Sequence, residues 1–363
     1  MEQKVNKTVI NLQNKDDAAS YLKKNFTKDM YFGEGILGRL ANRIWEGKEL
    51  TDKEQILLSA VLPLSVGSYH IEEKVLKKGV CWNLSNEYPD GNINLDIGTL
   101  TMESGSSIVC RGKVLNLTIG SLKKVTVPGA SHAYYDFGIF GRDGADGSDG
   151  SNGSAGNNGA DGVNGNVWSP GIAGDDGKDG QCGAPGQAGR DGTSGQNGQS
   201  VLAATIRISD LSDPLTILAK PGNGGNGGKG GDGGNGGNGG KGGDGCDTGC
   251  EGSNGGNGGD GGNGGAGGNG GNGGDGGCGG TVNVFVASCA TRMINPVTNP
   301  SEGGRGGAKG IGGAAGKGGS KGSGGKHHSD GNNGSNGQNV GESGQAGSDG
   351  KNGTAPMINV SEM

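Results

Sequence analysis

Apolar side chains are scarce in this chain: only 29% of its residues are hydrophobic and 4% are aromatic. A polypeptide of 363 residues ordinarily folds as about two or three domains around apolar cores, and this composition excludes such cores from much of its length. Clustered positive charge is absent as well. Residues 1 to 137 carry 17 Lys/Arg against 16 Asp/Glu, the remainder 14 against 21, and the net charge is −6. Such a balance supplies no phosphate-collecting surface. Beyond residue 198 the only aromatic side chain is Phe285, which removes the stacking platforms of single-strand binders, so no nucleic-acid partner is expected. Met1 to Asp17 lack the apolar core of a classical signal peptide, and no run approaches a membrane span. The expected location is cytoplasmic, particle-associated or non-classically secreted. His70 and His132 are isolated, no paired ionisable groups suggest a catalytic cleft, and neither an enzyme nor a cofactor is expected.

Glycine is what the chain has in abundance, 89 residues of it. Twelve lie in residues 1 to 137 and 77 in residues 138 to 353. Within the second region they keep phase. Every third position from Gly138 to Gly198 is glycine in 20 of 21 cases, Trp168 being the exception; from Gly222 to Gly279 the break is Cys246, and from Gly304 to Gly337 it is His328. A last short run from Gly341 to Gly353 follows a break at Val340. A flexible linker has no reason to hold a phase. A three-residue period with one position too crowded for a Cβ implies a left-handed extended helix, as in collagen or polyglycine II. Proline is too rare for ordinary collagen, with only Pro170 and Pro185 in 138–198 and none in 222–279. A polyglycine-II bundle is therefore expected over 138–356.

The block from 222 is mostly Gly-Gly-X, and its third residues run Asn223, Asn226, Lys229, Asp232, then Asn235, Asn238, Lys241, Asp244. After Cys246 to Cys250 the side chain moves to the other side of the phased glycine, in Asn257, Asp260 and Asn263. A chain reversal at that point explains the shift. Inserts at 200–220 and 281–290 and a tail at 357–363 read as strands that either cap the bundle or continue an N-terminal core.

The N-terminal half is expected to be α+β. Residues 1–68 read as a helical region: amphipathic spacing in Asp16 to Phe26 and Ile36 to Gly47, then a capping box from Thr51 to Glu54. Residues 69–137 read as β-rich, with alternation plain in Val114 to Ile119, as either a sandwich or a solenoid. Cys81 and Cys110 are expected to be buried thiols.

Side chains of potential chemical interest sit at the breaks. Cys246 and Cys250 suggest a disulfide closing a turn, with zinc binding beside Cys278 or free thiols as alternatives. His327 and His328 are adjacent and weak metal candidates, or simply part of a loop tip. Trp168 either anchors a partner or plugs a gap. The phased blocks resemble those of glycine-rich adhesins at phage tail-fibre tips and of snow-flea antifreeze proteins, both polyglycine-II bundles. In such adhesins the loops between helices touch the host receptor. The resemblance implies contact with a cell-surface protein or glycan through Trp168, through Asp247, Thr248 and Glu251, and through Lys326, His327 and His328. The alternatives are self-association of the Lys and Asp rows into a structural or inclusion-forming assembly, a secreted bacterial toxin or effector, and an ice-binding protein.

Overall fold

The computed structural model describes residues 6–12, 64–88, 92–129, 133–168 and 174–363. Strands form where branched and aliphatic residues alternate with polar ones. They are β1 (Asn6–Leu12), β2 (Leu64–Leu76), β3 (Cys81–Asn83), β4 (Ile93–Glu103), β5 (Ser107–Arg111), β6 (Leu115–Val125), β7 (Phe137–Phe140), β8 (Ala204–Leu211), β9 (Leu215–Lys220), β10 (Thr281–Val286), β11 (Ile294–Thr298) and β12 (Met357–Glu362). Helix α1 (Leu84–Glu87) is a single turn whose Asn83 side chain accepts from Ser85 N.

Strands from β2 onward fall alternately into two sheets. One sheet runs β1-β2-β4-β6-β8-β10-β12 and the other β11-β9-β7-β5-β3. Every pairing is parallel except β1 with β2. The fold is thus a two-sheet parallel solenoid, one strand of each sheet per rung, and not a sandwich of hairpins. Its core lies between the sheets: Ile93, Ile97, Leu115, Ile119, Ile206, Ile217 and Val284 are fully or almost fully buried. In β4 and β6 the buried alternation slips at Gly98 and Gly120. A Cβ on Gly120 would lie 2.5 Å from the Gly98 carbonyl oxygen, and one on Gly98 would lie 2.6 Å from that of Glu72. Stacked glycines therefore let the sheet bend at the same level in successive rungs.

The helices expected at Asp16 to Phe26, Ile36 to Gly47 and from Thr51 lie outside the described residues. At the borders of that region the expectation needs correcting: residues 6–12 and 64–68 are strand and belong to the solenoid. Cys110 is buried, but Cys81 is exposed. Period two in β3 turns the neighbouring Trp82 inward instead.

The glycine blocks are insertions at one corner of the solenoid. Each leaves the five-stranded sheet and returns to the seven-stranded one: 141–203 after β7, 221–280 after β9, 299–356 after β11. Each contains two extended rods that run antiparallel. Rods 1 and 2 are 141–166 and 174–199, rods 3 and 4 are 222–245 and 252–277, rods 5 and 6 are 303–325 and 329–353. Hydrogen bonds recur every third residue, as in Gly144, Gly147 and Gly150 N–H to the carbonyls of Asn223, Asn226 and Lys229 at 2.7–2.8 Å. Outgoing rods 1, 3 and 5 form one layer and returning rods 2, 4 and 6 the other, parallel within a layer and antiparallel between them.

Composition follows position in this array. Rod 3 bonds to rods 1, 2, 4 and 5, and rod 4 to rods 2, 3, 5 and 6. Two of their three edges are covered, which is why both are Gly-Gly-X. A Cβ on Gly237 would overlap the Asn157 carbonyl, and one on Gly236 that of Gly262. Rod 1 bonds only to rods 2 and 3, and it tolerates Gly-X-Y.

Asn and Asp have a second role here. Their side-chain oxygens accept backbone N–H groups one rung along: Asp143 from Asn223, Asn226 from Arg305, Asp176 from Asn254, Asn257 from Asn332. In rods 3, 4 and 5 every amide of a typical triplet is thereby bonded. In rod 3, for example, Gly225 N–H goes to Gln196, Asn226 N–H to Asp146 and Gly227 N–H to Arg305. The Lys and Asp of this row pair with one another within rod 3, Lys229 with Asp232 at 3.7 Å and Lys241 with Asp244 at 3.3 Å. Three residues per turn bring positions i and i+3 to the same edge.

Three substitutions separate these roles. Gly237→Ala should cost about 2 kcal/mol or more by overpacking, and Asn238→Ala about 1 kcal/mol, because the Lys317 amide loses its acceptor. Lys229→Ala, an exposed pair, should change stability by less than about 0.5 kcal/mol. Thermal or denaturant unfolding reads the order, and equal effects at all three positions would contradict the array.

Candidate recognition site at the hairpin tips

Because the hairpins leave successive rungs of one solenoid, their tips are stacked at the same far end of the array. The breaks at Trp168, Cys246 and His328 fall where a rod ends and the crowding that demands glycine ceases. Trp168 is 72% exposed, and Val163 and Val167 beside it are exposed too. It therefore stands out from the first hairpin and does not fill a gap.

At the second tip, Asp247 Oδ1 accepts from Gly249 N at 2.9 Å, and Gly249 has a φ of 81°. Thr248 Oγ1 donates to the Glu251 carbonyl at 2.5 Å, and Asp247 bridges to Gly252. This tight turn leaves Asp247 and Glu251 exposed. Cys246 is buried below it. Its Sγ accepts from Gly174 N at 3.2 Å, and its own N–H donates to Ser253 Oγ at 2.8 Å. Ser253 Oγ in turn donates to the Asp175 carbonyl at 2.6 Å. Cys246 thus closes the rod ends by packing. Cys250 is exposed, both thiols are free, and the disulfide weighed for the pair is not formed.

The third tip is fastened to the second. Lys326 Nζ donates to the Gly249 carbonyl at 3.0 Å, and His328 Nε2 lies 3.0 Å from Glu251 Oε1. Residues some 77 positions apart in sequence are brought together by the rung spacing alone. His327 adopts a φ of 63°, the left-handed region that costs a non-glycine residue about 1 kcal/mol. Asp330 accepts from Gly324 N at 2.8 Å and pairs with Lys321 at 2.9 Å. The Lys321 ammonium, followed by the Gly324 amide, holds the Asp330 carboxyl below the usual carboxylate range. Among the described residues no three His, Cys, Asp or Glu side chains converge on a metal position, and His328 is directed at Glu251. The fastening of Lys326 and His328 to the second tip has no local signal in the sequence, whereas the Lys321–Asp330 pair closes the third hairpin on itself.

One family model matches the chain, the collagen triple helix repeat, over residues 140–200. No curated protein and no solved structure matches it. The matched stretch is the Gly-X-Y pair of rods 1 and 2. It marks a collagen-like repeat of structural character, although Lys178 N–H to Val163 O and Gln181 N–H to Ala160 O make these two rods antiparallel, unlike collagen strands. No helix among the described residues is long and apolar enough to cross a membrane.

Two outcomes test the tip geometry. His327→Gly should stabilise the protein or leave it unchanged, whereas His327→Val should destabilise it, as read by unfolding. For Asp330 the folded pKa lies below the unfolded one, so its contribution is present above the unfolded value and lost as pH falls through the folded one. Lys321→Ala should raise the Asp330 midpoint in a carboxyl NMR titration; an unmoved midpoint contradicts the pairing.

Proposed function

We propose that the six rods are polyglycine-II helices and that the protein is a non-enzymatic structural scaffold which recognises a cell-surface protein or glycan through its stacked hairpin tips. The three-residue hydrogen-bond period, shared by parallel and antiparallel neighbours, supports the helix type. The observation that carries the recognition reading is the segregation of side chains. The rods present mostly short polar residues already engaged with backbone, while the exposed indole of Trp168 and the exposed charges of Asp247 and Lys326 stand at the tips. Exposed aromatics ringed by polar groups are the usual anchors of interfaces. Ice binding is less well supported, because Lys229, Asp232, Lys241 and Asp244 keep charged, hydrated groups along the rod 3 edge.

The test is a screen of the full chain against glycans and intact cell envelopes, followed by Trp168→Ala, Lys326→Ala and the rod-flank control Lys229→Ala. Trp168→Ala should weaken binding at least about tenfold, with the control unaffected. Equal losses in tip and control variants, or no binding anywhere in the screen, would contradict the reading.

A further inference from the structure

The two ends of the stack differ. At the N-terminal end β1 lies antiparallel on β2, and two rungs, β2-β3 and β4-β5, extend past the level at which rods begin. At the C-terminal end rods 5 and 6 are the last hairpin; Asn333, Asn336, Asp349 and Asn352 of rod 6 accept rod 5 amides, but the Asn and Asp row of rod 3 is not continued along rod 5. Counting on by the same spacing from Asn223, Asn226 and Asp232, rod 5 presents Glu302, Arg305 and Ile311. Rod 5 continues this row with Ala314 in place of Asn235.

Two large apolar side chains are exposed on this face, among the charged Glu302, Arg305 and Lys317 of the same row. Ile311 is 64% and Val340 66% exposed. They are level with one another, since Gly341 N–H donates to the Gly313 carbonyl. Just before Val340 rod 6 gains one residue. Rod 6 follows rod 4 at a spacing of 75 in Ser335 on Asp260 and of 76 in Asn339 on Asn263, so one extra residue bulges out between them. Ala308, Ala314 and Ala315 flank Ile311 in sequence.

We propose that this outer face of rods 5 and 6 is a dimer interface between two copies of the chain, related by a two-fold axis near Ile311 and Val340. Three features select this occupant. The face continues an interface in which rods of this same chain already pack on one another, antiparallel as well as parallel. At ~3.1 Å per residue and ~5 Å between bonded neighbours, two rods offer roughly 650 Å², near the ~800 Å² per partner of a standard interface. The ends of the stack do not match, because the protruding rungs and β1 would obstruct a second copy placed head to tail, so the face must pair with itself. An antiparallel arrangement of rods then sets the two solenoids at opposite ends, where they do not collide.

Sedimentation of the full chain across a wide concentration range tests this. The expected result is a monomer–dimer equilibrium that Ile311→Lys with Val340→Lys weakens at least about tenfold, with the melting temperature of the monomer unchanged because both side chains are exposed. A spin label at Ala314 should report a short distance to its copy in the dimer only. A wild-type monomer at every concentration, an assembly that grows beyond two copies, or a dimer insensitive to the double substitution would overturn the proposal.

Discussion

Most backbone amides in the glycine rods find their acceptors on neighbouring rods, and only one register provides them. That register belongs to the solenoid. β9 follows β7 at a spacing of 80, and rod 3 follows rod 1 at 80; β10 follows β8 at 78, and rod 4 follows rod 2 at 78. The third pair repeats the agreement, with β11 on β9 and rod 5 on rod 3 both at 79. Left to itself, a rod with a twelve-residue repeat could slip by whole turns at little cost, since the glycines are interchangeable. The apolar rungs carry the side chains that cannot slip, and they transmit their alignment along some 20 residues of rod.

Stability is consequently divided between two kinds of interaction. In the solenoid it comes from burial of Ile, Leu and Val between sheets. In the rods almost no apolar surface is buried, and the glycines, which lose the most entropy on ordering, are held by net hydrogen-bond contributions of about 0.5–1.5 kcal/mol each. Such a lattice is worth building only if complete, which explains the supply of Asn and Asp oxygens to amides that no carbonyl reaches. It also explains the distribution of functionally interesting residues. Inside the array a side chain larger than hydrogen meets a carbonyl oxygen, so Trp168, Cys246 and His328 are confined to the ends.

Much of this organisation could be read from residue order. The phase of the glycines, its breaks, the reversal near Cys246 to Cys250 and the alternation in Val114 to Ile119 are all local patterns. What could not be read are relations between positions 75 to 80 apart. Asn223 and Asp232 look like an exposed decorated edge because their acceptors' purpose, the amides of Glu302 and Ile311, lies a full rung further on. The choice between sandwich and solenoid was hidden for the same reason: the rung period is short in β2 to β6 and long wherever a hairpin is inserted, so no repeat of constant length appears. Of the tip residues, Lys326 and Glu251 were singled out separately, but their convergence with Gly249 and His328 depends on that same spacing.

Native-state hydrogen exchange resolved by residue addresses the registered lattice most directly. In rods 3 and 4 all three amides should be protected in triplets that face a side-chain acceptor, as for Gly225, Asn226 and Gly227. In rod 1 Gly144, Gly147 and Gly150 should be protected while Asp143, Asp146 and Asp149, whose amides face water, exchange freely. Uniform rapid exchange across 222–277, or protection in rod 1 without a three-residue period, would contradict it.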